Sequence, residues 1–111
     1  MSKSQKMKDA YVSMLKEYKD IENVIASLPR GYISTKVISG HTYHYLQWRE
    51  GSHVLSSYVN DALLNGVRQK IIIRKQNEQL LKILKKDIKK LEKALLKAGV
   101  SEEEIKELKA Q

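Results

Sequence analysis

The spacing of apolar positions changes twice along the chain, and each change marks a change of element. Met7, Tyr11, Met14, Tyr18, Ile21, Ile25 and Leu28 recur at intervals of 4, 3, 4, 3, 4 and 3, with mostly Lys, Glu, Asp and Ser between them. A 4-3 repeat keeps one stripe of a helix apolar, so the pattern predicts a coiled-coil-type helix over 7–28. Pro29 ends it, because a residue before proline is pushed out of helical geometry, and Gly31 gives the chain a flexible exit.

From 31 to 59 the composition turns to strand formers: Tyr32, Ile33, Thr35, Val37, Ile38, Thr42, Tyr43, Tyr45, Trp48, Val54, Tyr58 and Val59. Ser39-Gly40 and Glu50-Gly51-Ser52 are turn signals that divide this stretch. The expectation is a three-stranded antiparallel meander, with strands near 32–38, 42–49 and 53–59.

Beyond the meander, Asn60 or Asp61 can cap a long helix over 61–98 by accepting backbone N–H groups. Gly66 weakens the first turns, so the start can fall anywhere from 61 to 67. The apolar stripe is read as Ile73, Leu80, Leu84, Ile88, Leu91 and Leu95, with Asn77 in one seam position. Its mean spacing of about 3.67 is that of a nearly straight helix. Ala98-Gly99 closes the helix, and Ser101 with Glu104 forms a capping box for a short last helix over 102–109, edged by Ile105 and Leu108.

These elements predict an α+β protein, a single domain over 1–111. The two main helices lie antiparallel, packed through Tyr11, Tyr18, Ile21, Ile25, Leu80, Leu84, Ile88 and Leu91, and one face of the sheet closes the end of the pair. The long helix outreaches its partner by roughly 15–20 Å. Either the short last helix or a second subunit covers the excess, so a homodimer is one solution.

Composition narrows the picture. At 111 residues and 41% hydrophobic, the chain has room for one modest aliphatic core, with one Trp and no Phe. Without cysteine there is no disulfide framework, no thiolate zinc site and no thiol nucleophile, which suits a reducing cytosol. Met1–Lys8 is polar and reads as no signal peptide, and the longest apolar run is Ile71–Ile73, against the ~20 residues a membrane helix needs. A soluble, cytoplasmic protein without membrane contact is expected.

The charge is uneven. Of a net +8, residues 61–100 carry 11 basic and 4 acidic groups, a local +7. Chemistry is sparse by comparison. His41 and His44, three apart in a strand, point to opposite faces, and no acidic cluster accompanies them or His53. Ser52, Ser56 and Ser57 near His53 lack an orienting carboxylate, and the five glycines sit singly at element boundaries, not in a phosphate loop. No enzyme, cofactor or metal site is expected.

Two surfaces remain. Lys75, Lys82, Lys86, Lys89, Lys93 and Lys97 fall about 200° around the long helix from its apolar stripe, forming a basic ridge. Such a ridge suits a phosphate backbone and equally suits plain solvation. In the second strand, alternation puts Tyr43, Tyr45, Gln47 and Arg49 on one face and His44, Leu46 and Trp48 on the other. Leu46 and Trp48 look like the core side. The first face, with Lys36 nearby, holds residue types that stack on bases and bond to their edges, although a half-exposed tyrosine sheet is also simply stable.

The run Leu28-Pro29-Arg30-Gly31-Tyr32-Ile33, then Gly40 through Gly51, then Tyr58-Val59, resembles a family of small uncharacterised bacterial proteins. Those have a Leu-Pro-basic-Gly lead-in, a tyrosine-rich hairpin and a charged C-terminal helix, and the likeness spans about residues 25–98. The resemblance implies a setting near phage or mobile elements. A looser similarity is to the arm-type DNA-binding domains of integrases, which also run three strands and then a helix. The basic residues that crowd those strands are reduced here to Lys36 and Arg49, which leaves the helix as the main source of charge. The expected partner is therefore DNA or RNA. The alternative is a nucleic-acid-handling protein, met as an interaction module: an inhibitor of a host CRISPR-type nuclease (anti-CRISPR), or a regulator or antitoxin.

Overall fold

A computed structural model describes residues 2–111. The element order is α1 (Lys3–Ala26), β1 (Tyr32–Ile38), β2 (His41–Glu50), β3 (His53–Val59), α2 (Asp61–Lys97) and α3 (Glu102–Lys109). The fold is α+β, as the spacing predicts: three helices and one antiparallel sheet in the order β1-β2-β3. Helix α1 starts at Lys3 rather than Met7 and ends at Ala26, two residues short of Leu28. The chain clusters into two compact units, one formed by the chain up to Val24 together with Asn77–Gln111, the other by Ile25–Gln76.

The helical unit is built on the 4-3 seam. Tyr11, Leu84, Ile88, Leu95, Val100 and Ile105 form its buried core, and Met7, Met14, Leu15, Tyr18, Ile21, Leu91 and Leu108 pack against it. Early α1 residues meet late α2 residues and the reverse, so the two helices run antiparallel; Met7 lies by Ala94, and Ile21 by Leu80 and Leu84. Glycine at 99, with φ +92°, lets the chain reverse after α2. Val100 N–H then donates to the Leu95 carbonyl at 3.0 Å, and the Val100 side chain turns into the core. Ser101 caps α3, accepting from Glu104 N–H at 3.1 Å. That returns Ile105 to the core, so α3 covers apolar surface of this unit.

The α2 stripe needs a correction. Leu80 is 52% exposed and Ile73 42%, whereas Ile71 is buried and Leu81 half-buried. The inward positions in this part of the helix are Ile71, Arg74, Asn77, Leu81 and Leu84, a 3-3-4-3 series. Two polar residues stand in the seam, and the nearest apolar residues, Ile73 and Leu80, therefore look like members of it from spacing alone.

In the sheet unit, Ser39 (φ 51°) and Gly40 (φ 79°) make a two-residue turn with both central residues left-handed, the geometry that matches strand twist. It fixes Ile38 opposite His41 and, up the ladder, Tyr32 opposite Gln47. The second hairpin sets Glu50 opposite His53 and Tyr45 opposite Tyr58. Asn60 supplies the cap for α2, its side-chain oxygen accepting from Ala62 N–H at 2.8 Å.

Candidate functional site

Register decides what the sheet presents. Directly opposed residues share a face, so one face carries Tyr32, Ser34 and Lys36 from β1, Tyr43, Tyr45, Gln47 and Arg49 from β2, and Val54, Ser56 and Tyr58 from β3. The other carries His44, Leu46, Trp48 and Glu50 on β2, with Val59 buried at its edge. Leu46 and Trp48 border a cleft of about 460 Å³, together with Leu28, Pro29 and Arg74. Leu46 and Trp48 are half-buried there, as are Tyr43, Tyr45 and Gln47 on the opposite face.

Arg74 explains how the inner side is tied down. Its Nη1 donates to the carbonyls of Ile25 at 2.9 Å and Leu28 at 2.7 Å, so it holds the segment that leaves α1, where the Ile25 carbonyl also accepts from Leu28 N–H at 3.1 Å. At the rim of the cleft, Glu50 Oε1 accepts from Trp48 Nε1 at 3.1 Å and lies 3.5 Å from Arg30 Nη2.

The outer face is aromatic and cationic. Tyr58 packs edge-on to Tyr45, with centroids 5.9 Å apart at 69°, and tilted to Tyr43 at 6.3 Å. Lys36 Nζ sits 5.1 Å from the Tyr45 ring centroid, a cation–π contact. Tyr32 Oη donates to Gln47 Oε1 at 2.7 Å. Tyr32 and Tyr58 are each 57% exposed, Lys36 and Arg49 are exposed, and Tyr43, Tyr45 and Gln47 on the central strand are half-buried. Both acids nearest in sequence, Glu50 and Asp61, lie elsewhere: Glu50 alternates to the inner face and Asp61 opens α2. The unit as a whole has seven basic and two acidic residues, a net +5.

Tyr32 and Tyr58 were not among the residues singled out from sequence. The signal was present, because the two turns fix the register and the register puts both beside β2's tyrosines.

The six ridge lysines are all exposed. Lys82, Lys86, Lys89, Lys93 and Lys97 fall in an arc of about 80°, opposite Leu84, Ile88, Leu91 and Leu95. These five belong to the helical unit and Lys75 to the sheet unit. The histidines do not converge: His41 is on the outer face, while His44 Nδ1 is 3.1 Å from Thr35 Oγ1. Among the described residues, no group of three or more His, Cys, Asp or Glu is placed to hold a metal ion. Among the described residues, no helix is long and apolar enough to cross a membrane.

Residues 4–69 match the family described as Domain of unknown function (DUF6788). The chain belongs to this family. No curated protein and no solved structure matches it. The DUF6788 match takes in α1, the whole sheet and the first turns of α2, and it stops before Lys75. The tyrosine face therefore lies within the family segment and the lysine ridge lies outside it.

Proposed function

We propose that this protein is a non-enzymatic binding protein that engages nucleic acid through the outer face of its sheet. The observation that carries the reading is the composition of that face: four tyrosines, Gln47, Lys36 and Arg49, with no acid among them. Aromatic rings offer stacking surface to bases, the amide and guanidinium can bond to base edges, and the cations attract phosphate. The α2 lysines add sequence-independent attraction, since Lys is a compact point charge suited to phosphate and poor at reading bases. A setting near phage or mobile elements is compatible with this role.

The experiment is a mobility-shift titration of the full chain with DNA and RNA at two salt concentrations. Binding that weakens as salt rises supports the reading. Absence of binding at low salt overturns it and favours a protein partner held by the same tyrosines, a residue type also enriched at protein interfaces.

A further inference from the structure

The outer face also says which form of nucleic acid it fits. Along β2, from Tyr43 to Arg49, the face extends about 20 Å. Tyr43, Tyr45 and Tyr58 cluster at one end, with Lys36 beside them. At the other end Tyr32, Gln47, Arg49 and Val54 surround a shallow hollow of about 270 Å³. With Oε1 engaged by the Tyr32 hydroxyl, Gln47 presents its two Nε2 hydrogens as donors. Arg49 adds its guanidinium alongside.

Four rings and two cations are the wrong proportions for a duplex. A double helix keeps its base faces stacked inside and shows phosphates outside, so a surface that grips it is dominated by phosphate contacts. An aromatic face finds partners only when bases are unstacked and splayed. Resting on the nucleic-acid reading above, we infer that the ligand is a single strand. About two or three unstacked bases lie on the tyrosine cluster or in the Tyr32–Gln47–Arg49 hollow, and Lys36 and Arg49 meet the flanking phosphates. RNA and DNA single strands share this chemistry.

The test is fluorescence polarisation of the full chain with one labelled 12-nucleotide mixed sequence, as RNA, as DNA and as the DNA duplex, at low salt. Tyr58→Phe keeps the ring, and Tyr58→Leu keeps an apolar side chain without it. The expected result is single-strand binding at least tenfold tighter than duplex binding. It is lowered roughly 5- to 100-fold by Tyr58→Leu and preserved by Tyr58→Phe. The RNA and DNA arms then separate the two sources, tighter RNA binding pointing to a 2′-hydroxyl contact. Duplex binding as tight as single-strand binding, or an unchanged Tyr58→Leu, overturns the inference while the broader nucleic-acid reading stands. If none of the three probes binds, both fall.

Discussion

The helical unit buries six large apolar side chains in one cluster and nearly balances its charge, fourteen basic residues against eleven acidic. Among the described residues of the sheet unit, only Val59 and Ile71 are buried apolar side chains, and basic residues outnumber acidic seven to two. By sequence segment most of the positive charge belongs to α2; by folded unit the larger excess belongs to the sheet unit, +5 against +3, with residues 61–76 at the start of α2 supplying +3 of that +5. The helical unit is lower because α3 brings four acids against two lysines; there Glu104 pairs with Lys8 of α1 at 2.8 Å, and Lys109 lies 3.5 Å from Glu92 of α2. One region uses its large side chains on itself. The other leaves Tyr32 and Tyr58 more than half exposed.

The largest expected effect is on the helical side. Leu95 is fully buried, so Leu95→Ala should cost about 2–5 kcal/mol in urea unfolding. Tyr58→Leu, which loses the ring contacts to Tyr43 and Tyr45 but little burial, should cost about 0.5–1.5 kcal/mol. Equal losses from the two would erase the contrast between the units.

Gly31 sharpens it from the other side. Its φ is +105°, and a Cβ there would overlap the Gln47 carbonyl oxygen, a backbone atom that cannot swing away. Gly31→Ala should cost about 1–3 kcal/mol. Amide exchange should accelerate first in β1 and β2, with the Leu84–Leu95 segment of α2 still protected.

A smaller effect concerns Tyr11, fully buried, whose hydroxyl donates to Glu92 Oε1 at 3.1 Å. Burial first, then the charge of Glu92 and the hydrogen bond to it, hold the Tyr11 phenol well above its ordinary range. A raised folded-state pKa means its contribution is complete below the unfolded value near 10 and is lost as pH climbs beyond it. Tyr11→Phe should cost about 0.5–1.5 kcal/mol at neutral pH. In urea midpoints from pH 8 to 11, the Phe variant should fall less steeply at the alkaline end than the parent.

The fold was legible wherever one residue type enforced one geometry. The 4-3 seam of α1, the Ser39-Gly40 turn and the Ser101 cap all read directly from sequence, and the cap of α2 narrowed to Asn60 or Asp61, of which Asn60 makes the bond. The middle of α2 did not, because Arg74 sits inward to hold the Ile25 and Leu28 carbonyls and Asn77 follows it. A seam position occupied for hydrogen bonding is invisible to a hydrophobic period. The site was half legible: alternation in β2 picked out Tyr43, Tyr45, Gln47 and Arg49, but Tyr32 and Tyr58 join them only through pairing across strands.

The most direct test of sheet-led binding is the salt dependence of affinity for one single-stranded 12-mer, measured for the parent, for Tyr43→Ala with Tyr58→Ala, and for Lys82→Glu with Lys86→Glu and Lys89→Glu. The tyrosine pair should lose affinity by the same factor at low and high salt, with the log–log slope unchanged, since stacking releases no counterions. The lysine triple should bind more weakly with a slope flattened by about two units. A tyrosine pair that binds like the parent at both salts, beside a lysine triple that no longer binds, would place recognition on α2 and contradict a binding role for the sheet face.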